Sequence, residues 1–274
     1  MEIRGIDFTA APARRKPITA AICHLEGARL RLRRLERIET LAGFESFLAQ
    51  PGPWVAGFDF PFGQSRRLID GLGWPRDWAG YVGKVGAMGL PALVETFEAY
   101  KAPRPPGDRQ HFRAADRATG AASPQTLHYT PVARMFAQGA PRLLAAGVHV
   151  PGLCAGDPAR VALEAYPGVA ARALIGRRPY KSDQRADPAR AAARADLIAA
   201  LSGAAGRARF GLDLVLPGDL AAEMAADPRA DLLDAVICAV QAAWALRAGL
   251  TAAGPSGVDP LEGWIADPAA LPPS

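Results

Sequence analysis

The sequence has little of the two residue types on which zinc and redox sites depend. It contains three cysteines and four histidines among 274 residues. Cys23, Cys154 and Cys238 are far apart and none forms a CxxC pair, so the sequence indicates neither a zinc site nor a disulfide framework. The histidines show no spacing typical of metal ligands. Cys23 and Cys238 lie in apolar runs and are expected to pack in the core.

The sequence also lacks a long uninterrupted apolar run. The first residues, MEIRGIDFT, contain no apolar segment of the kind found in a signal peptide. The longest apolar stretch, from Leu232 to Leu246, is interrupted by Asp234 and Gln241 and is too short to span a bilayer. We therefore expect a soluble, cytoplasmic protein with no membrane partner.

Charge and composition allow two interpretations. The chain is 50% hydrophobic, which argues against disorder, and it carries a formal net charge of +5 with a pI of about 9.4. A basic protein of this kind suits a polyanionic partner such as DNA or RNA. The alternative is a compositional bias, because the basic residues are mostly arginines in a chain rich in Ala, Gly and Pro.

The spacing of apolar residues predicts an α/β fold. The five predicted strands cover residues 2–9, 18–25, 28–35, 54–60 and 160–167. Predicted helices cover residues 40–50, 168–176, 188–202 and 228–249. A weaker strand candidate covers 208–216, and 262–266 is expected to form a short strand or clasp.

We expect a single domain over residues 1–274, with a core formed by 1–63 and 159–266. The intervening segment, 64–158, is rich in Gly, Pro, Trp and Arg and is interpreted as a helical insertion or cap. Its predicted helices cover 87–100 and 130–147, and its basic, turn-rich part, 101–124, is predicted to be an exposed loop.

Three aspartates occupy stretches that otherwise have the composition of a protein core. Asp7 and Asp59 lie at the ends of short apolar strands, and Asp234 lies near the start of a long apolar helix. Burying a carboxylate is costly unless it is paired or binds a metal. These three residues therefore predict a carboxylate cluster that holds divalent cations. Each residue has an alternative role. Asp7 could form a turn at the end of its strand, Asp59 could cap the turn into Pro61, and Asp234 could be an acid that the helix dipole favours.

The order of these elements resembles the RNase H-like fold, in which acids occupy the first strand, the end of the fourth strand and a C-terminal helix. The phrases GIDFTAAP, GFDFPFGQ, EAYPGVA, DLLDAVICAVQAAWA and EGWI resemble the domain-of-unknown-function 429 family, whose members are predicted to be RNase H-like nucleases. The resemblance implies an RNase H-like mixed five-stranded sheet flanked by helices, with a helical insertion after the fourth strand. It covers most of the chain, and the insertion matches least well.

Five further residues are candidates for the site. Asp231 and Glu164 are expected as additional metal ligands. Alternatively, the helix dipole could favour an acid at Asp231, near the start of the helix, and Glu164 could pair with an arginine. Arg113, Asp116 and Lys181 resemble polar positions of the family and are candidates for substrate binding, because Arg and Lys suit phosphate contacts. A solvated loop is the alternative for each of these three.

These observations favour a metal-dependent nuclease or a related phosphohydrolase, with Asp7, Asp59 and Asp234 as its catalytic residues and Mg²⁺ or Mn²⁺ as its cofactor. Hydrolysis by two metals requires carboxylates that hold two ions about 4 Å apart. An ATP-binding enzyme of the actin and sugar-kinase type is an alternative, but the DFTAAP segment lacks the glycines of a phosphate loop. A non-catalytic RNase H-like scaffold that binds nucleic acid or protein is another.

Overall fold

The computed structural model describes residues 1–182 and 187–271. Within these two ranges the chain forms seven strands: β1 (Glu2–Asp7), β2 (Ile18–Glu26), β3 (Arg29–Ile38), β4 (Trp54–Asp59), β5 (Val148–His149), β6 (Asp157–Glu164) and β7 (Asp213–Val215). They build one sheet in the order β5-β6-β4-β1-β2-β3-β7. The pairs β1–β2 and β2–β3 are antiparallel and the other neighbours are parallel, so the sheet is mixed.

The expectation of a five-stranded sheet is wrong, because two short edge strands extend it to seven in the described part of the chain. β5 has two residues, which is too short for a periodic pattern to identify it, and β7 has three, so the sequence indicated it only as a weak candidate. β5 comes from the predicted insertion, so the insertion also contributes to the sheet. The candidate strand at 208–216 contains β7 only in its second half, because a helix continues to Phe210.

Helices cover both faces of the sheet. In the described residues they are α1 (Leu41–Leu48), α2 (Arg66–Gly71), α3 (Trp78–Lys101), α4 (Ala114–Thr119), α5 (Val132–Ala146), α6 (Pro167–Ile175), α7 (Pro188–Ser202), α8 (Ala204–Phe210), α9 (Gly218–Ala226) and α10 (Asp231–Arg247). One apolar core joins the sheet to α6–α10, and a second core joins the opposite face to α1, α2, α3 and α5. None of the helices in the described ranges combines the length and hydropathy that a bilayer span requires.

The prediction for the insertion segment 101–124 is wrong in part, whereas the tail forms the clasp that was the alternative to a strand. The segment 101–124 is not a wholly exposed loop, since it contains α4 and several buried charged residues, among them Arg113 and Asp116. Residues 262–266 form no strand, but the Ala266 N–H donates to the Glu164 carbonyl and fastens the tail to β6. Both arrangements depend on partners distant in sequence, which local patterns do not reveal.

The position of α10 is set by two glycines that are neighbours in the sheet. Gly5 on β1 and Gly57 on β4 are in register, and both lie beneath α10. A Cβ atom at Gly5 would collide with the backbone at Ala235 and Ala239, and one at Gly57 would collide with the Cys238 carbonyl. The helix therefore lies directly on the backbone of β1 and β4, a distance that only glycine permits.

We expect Gly57→Ala to lower the free energy of unfolding by at least about 2 kcal/mol, because the added methyl group meets backbone that no side-chain rotation can move. Urea denaturation measures the change. Gly218→Ala is the matched control. Apart from its two chain neighbours and the backbone of its own helix, no atom lies within 4 Å of the added Cβ. Equal stability of the two variants would contradict this account of how α10 packs.

Candidate functional site

Sheet register brings the first two aspartates together. Asp7 and Asp59 end the parallel neighbours β1 and β4 and are paired in register. Each lies two residues beyond one of the glycines under α10, and side chains alternate along a strand, so both carboxylates are on the α10 side of the sheet. Asp234 lies in the first turn of α10. One carboxylate oxygen from each of the three residues lies within 4.8 Å of the others.

The environment makes ionisation of these acids costly. Asp234 is fully buried, and Asp7 and Asp59 are partly covered. Loss of hydration raises the pKa of all three carboxyls; nearby Lys181 opposes the rise, and the neighbouring acids add to it for Asp7 and Asp59. For Asp59 the result is a pKa of about 7. A positive charge beside these carboxyls would lower this penalty.

Two adjacent residues contact the buried carboxylate of Asp234. The Tyr180 hydroxyl donates a hydrogen bond of 2.9 Å to Oδ1, and Lys181 Nζ forms an ion pair with Oδ2. Burial alone would lower the pKa of Lys181, but Asp234, Tyr180, Asp7 and Asp59 raise it well above its ordinary value. Lys181 was expected to bind substrate, and the structure places its ammonium against the carboxylate cluster.

Glu164 occupies a different environment from the three aspartates. It ends β6 beside Phe58, and its carboxylate accepts two hydrogen bonds from Arg113, at 2.5 and 2.7 Å, and one from the Phe62 N–H at 2.8 Å. Arg113 also forms a bidentate contact with Asp116, and all three charged side chains are buried. The pairing of Glu164 with an arginine, one of the two interpretations of its sequence position, therefore describes its geometry.

The buried group Arg113–Asp116–Glu164 fastens the insertion to the sheet. Arg113 and Asp116 belong to the start of α4, whereas Glu164 belongs to β6. Arg113 further donates to the Glu262 carbonyl in the C-terminal segment. Because both Glu164 oxygens already accept hydrogen bonds, this residue offers less to a metal than the three aspartates do.

Asp231 lies near the three aspartates but outside the group whose oxygens converge. Its backbone carbonyl accepts a hydrogen bond from the Thr19 hydroxyl, and its side chain lines a groove of about 360 Å³. Burial is the largest cause that raises the pKa of its carboxyl, followed by nearby Asp227.

A cleft of about 340 Å³ opens beside Asp59 and Lys181. Its walls come from the ends of β4 and β6, from the Tyr180–Lys181 segment, and from the insertion, which contributes Arg113, Asp116, Thr130, Val132 and Met135. The cleft is large enough for a small organic group, and it places that group next to the carboxylates.

The sequence reasoning missed Tyr180 and the glycine pair. Tyr180 precedes a lysine in a short PYKSD segment, and no local pattern connects it to an aspartate 54 residues later. Gly5 and Gly57 each lie two residues before a candidate aspartate. That shared spacing, GxD in both strands, is the signal that could have indicated a closely packed helix above the site.

We expect Arg113→Met to destabilise the protein by about 3–5 kcal/mol, because the variant leaves two buried carboxylates without a cation. Chemical denaturation checks this value. Arg117→Met, an exposed position on the same helix, provides the control and is expected to change stability by less than about 0.5 kcal/mol. A small effect at Arg113 would mean that the buried ion group does not hold the insertion.

We expect Asp59→Asn to stabilise the metal-free protein by about 2 kcal/mol at pH 8. The raised pKa means that the folded state binds more protons than the unfolded state between pH 3.8 and about 7, so the stability contributed by this group falls as pH rises through that range. Because Asn cannot ionise, the variant does not lose this stability as pH rises. The gain over wild type should disappear as pH falls towards 4.

Thermal melts in EDTA across pH 4–8 measure this dependence. Asp219→Asn, an exposed acid in the first turn of α9, is the control. If Asp59→Asn gave the same difference from wild type at every pH, the Asp59 carboxyl would not have the raised pKa.

With the geometry established, comparison with known proteins gives the family. The sequence model of the family described as "Protein of unknown function (DUF429)" matches residues 5–259, which is nearly the whole chain. The chain belongs to this family. Searches of curated proteins and of solved structures gave no match.

Proposed function

We propose that this member of the DUF429 family is a metal-dependent phosphodiester hydrolase, a nuclease, with Asp7, Asp59 and Asp234 as its metal ligands. The observation that carries the proposal is the convergence of one oxygen from each carboxylate within 4.8 Å, at the end of two adjacent parallel strands. Structural acids disperse over a surface or pair with arginines, as Glu164 does. These three instead lie together where charge is costly.

The donor set fits a hard divalent cation. Mg²⁺ and Mn²⁺ prefer carboxylate oxygens and retain several waters, so three carboxylates are sufficient. When bound, such an ion activates water and neutralises charge on the phosphate. The chain's own residues have separate roles: Tyr180 fixes the orientation of Asp234 through its hydrogen bond to Oδ1, and the Arg113 group holds the insertion that walls the cleft.

The fold supports the same proposal. β1, β2 and β3 form an antiparallel series, and β4 and β6 continue the sheet in parallel on the other side of β1. This is the arrangement expected of an RNase H-like sheet, with β5 and β7 added at its two edges. Acids on β1, on β4 and on a late helix agree with the layout that the sequence resemblance implies.

The surface beside the acids supports a nucleic-acid substrate. Asp231 and Thr19 line the groove of about 360 Å³ described above, and Thr19 is the register partner of Asp7 across β1 and β2. The groove and the cleft therefore lie on two sides of the carboxylates. A chain of linked phosphates could follow this path, with one nucleoside in the cleft and its neighbours in the groove.

Arginines border this groove. Arg14 and Arg15 occupy the tip of a tight turn closed by hydrogen bonds between Ala13 and Lys16, and Arg229 holds the turn in place by donating to the Arg15 carbonyl. Arg14 and Arg15 are exposed. Guanidinium groups in this position suit contacts with phosphate oxygens.

We expect the wild-type protein to bind Mn²⁺ and the Asp7→Asn variant to bind it at least about tenfold more weakly, because the variant removes one of three ligands. Isothermal titration calorimetry measures binding, and labelled DNA and RNA oligonucleotides measure cleavage in Mg²⁺ or Mn²⁺. Cleavage should disappear with Asp7→Asn and persist with the exposed control Asp219→Asn.

Two results would redirect the proposal. Salt-sensitive nucleic-acid binding without metal-dependent cleavage would favour the non-catalytic scaffold. Calorimetric binding of ATP without nuclease activity would favour the kinase-like alternative, although the β1–β2 connection, residues 8–17, contains no glycine to approach a phosphate.

A further inference from the structure

We propose that Lys181 is a permanent cation of the catalytic site and that its ammonium takes the place of a second metal ion, so that the site holds one divalent cation. This inference rests on the proposed function, because it concerns the same carboxylates. It assigns to Lys181 a role that differs from a contact with distant substrate phosphates, and it changes the expected metal content from two ions to one.

The first support is the position of the ammonium. Lys181 Nζ forms an ion pair with Asp234 Oδ2 and also attracts the charges of Asp7 and Asp59. One oxygen from each of the three carboxylates lies within 4.8 Å of the others, so an ammonium in contact with Asp234 lies at the cluster that all three form.

The second support is the way in which the backbone of this lysine is held. The Ser182 N–H donates to the Pro228 carbonyl at 2.8 Å, and Arg194 donates to the Tyr180 carbonyl at 3.0 Å. Arg190 also donates to the carbonyl of Lys181 itself. These contacts tie residues 180–182 to α7 and to the turn before α10.

A lysine whose backbone is held from both sides loses less conformational freedom when its side chain forms an ion pair. Arg194 is itself buried and lies on α7, so the anchor belongs to the core of the protein. The Tyr180 side chain, next along the chain, is bound to the same aspartate. The fold therefore holds Lys181 beside the carboxylate cluster.

The third support is the balance of formal charge. Metal binding requires ionised ligands; the three aspartates then carry three negative charges and the lysine ammonium one positive charge, which leaves two negative charges for one divalent ion to neutralise. A second divalent ion would add an excess of positive charge within a few ångströms of the ammonium. Like charges at such distances repel.

The cleft gives the ammonium a further contact. Lys181 lines it together with Asp59, and half of the lysine side chain is exposed. The same ammonium can thus contact a carboxylate on one side and a phosphate oxygen on the other, as a compact charge with three donors allows. A metal ion in that position would serve the same two contacts.

The test is Mn²⁺ calorimetry on the full chain, comparing wild type with Lys181→Met and Lys181→Arg. We expect one ion per chain for wild type and for Lys181→Arg, which retains the charge. We expect two ions for Lys181→Met, with the first bound at least about tenfold more tightly than in wild type because the repulsion is gone. Lys84→Met, at an exposed position of α3, is the control and should match wild type.

Each other outcome counts against the inference. Two ions in wild type would mean that the ammonium moves aside, and unchanged stoichiometry and affinity in Lys181→Met would mean that it does not act on the metal; in both cases the carboxylate metal site of the proposed function stands. No Mn²⁺ binding by wild type would overturn both proposals. Melting curves establish that each variant is folded, and Lys181→Gln replaces Lys181→Met if the latter is not.

Discussion

Three carboxyl groups can be held together in ionised form away from water only if positive charge is supplied to them. Hydration normally stabilises such charges, and the folded chain removes most of it from Asp234 in particular. The protein supplies one ammonium, from Lys181, and one hydroxyl, from Tyr180. These two groups do not saturate the oxygens of three carboxylates. The remaining demand for positive charge is what supports the proposal that the cluster binds a cation.

The second buried group of charges makes the contrast clear. Arg113 donates to Asp116, to Glu164 and to the Glu262 carbonyl, and the Phe62 N–H completes the surroundings of Glu164. A fully hydrogen-bonded group of this kind is stable without a ligand and fixes how two parts of the chain meet. Acidic residues on the neighbouring strands β4 and β6 thus differ in how many donors surround them, and this difference separates Glu164 from the proposed metal ligands.

Local pattern was sufficient for the elements that are long or strongly apolar, including β1, β4 and α10, and for the three aspartates that these elements carry. It was insufficient where a partner lies far away in sequence. Arg113 is in a turn-rich basic segment and is buried against two carboxylates, one of which, Glu164, lies 51 residues later in the chain. The two shortest strands and the bond from Tyr180 to Asp234 depend on tertiary structure in the same way.

The glycine pair under α10 has a consequence for how this protein can change over time. A crowded core position is usually rescued when a neighbouring side chain becomes smaller, so the two sites vary together. At Gly5 and Gly57 the neighbouring atoms are those of the helix backbone, which every amino acid shares. A smaller side chain in α10 therefore creates no room for a larger residue at either glycine. Other positions around the acidic cluster can vary together with their neighbours, but these two cannot.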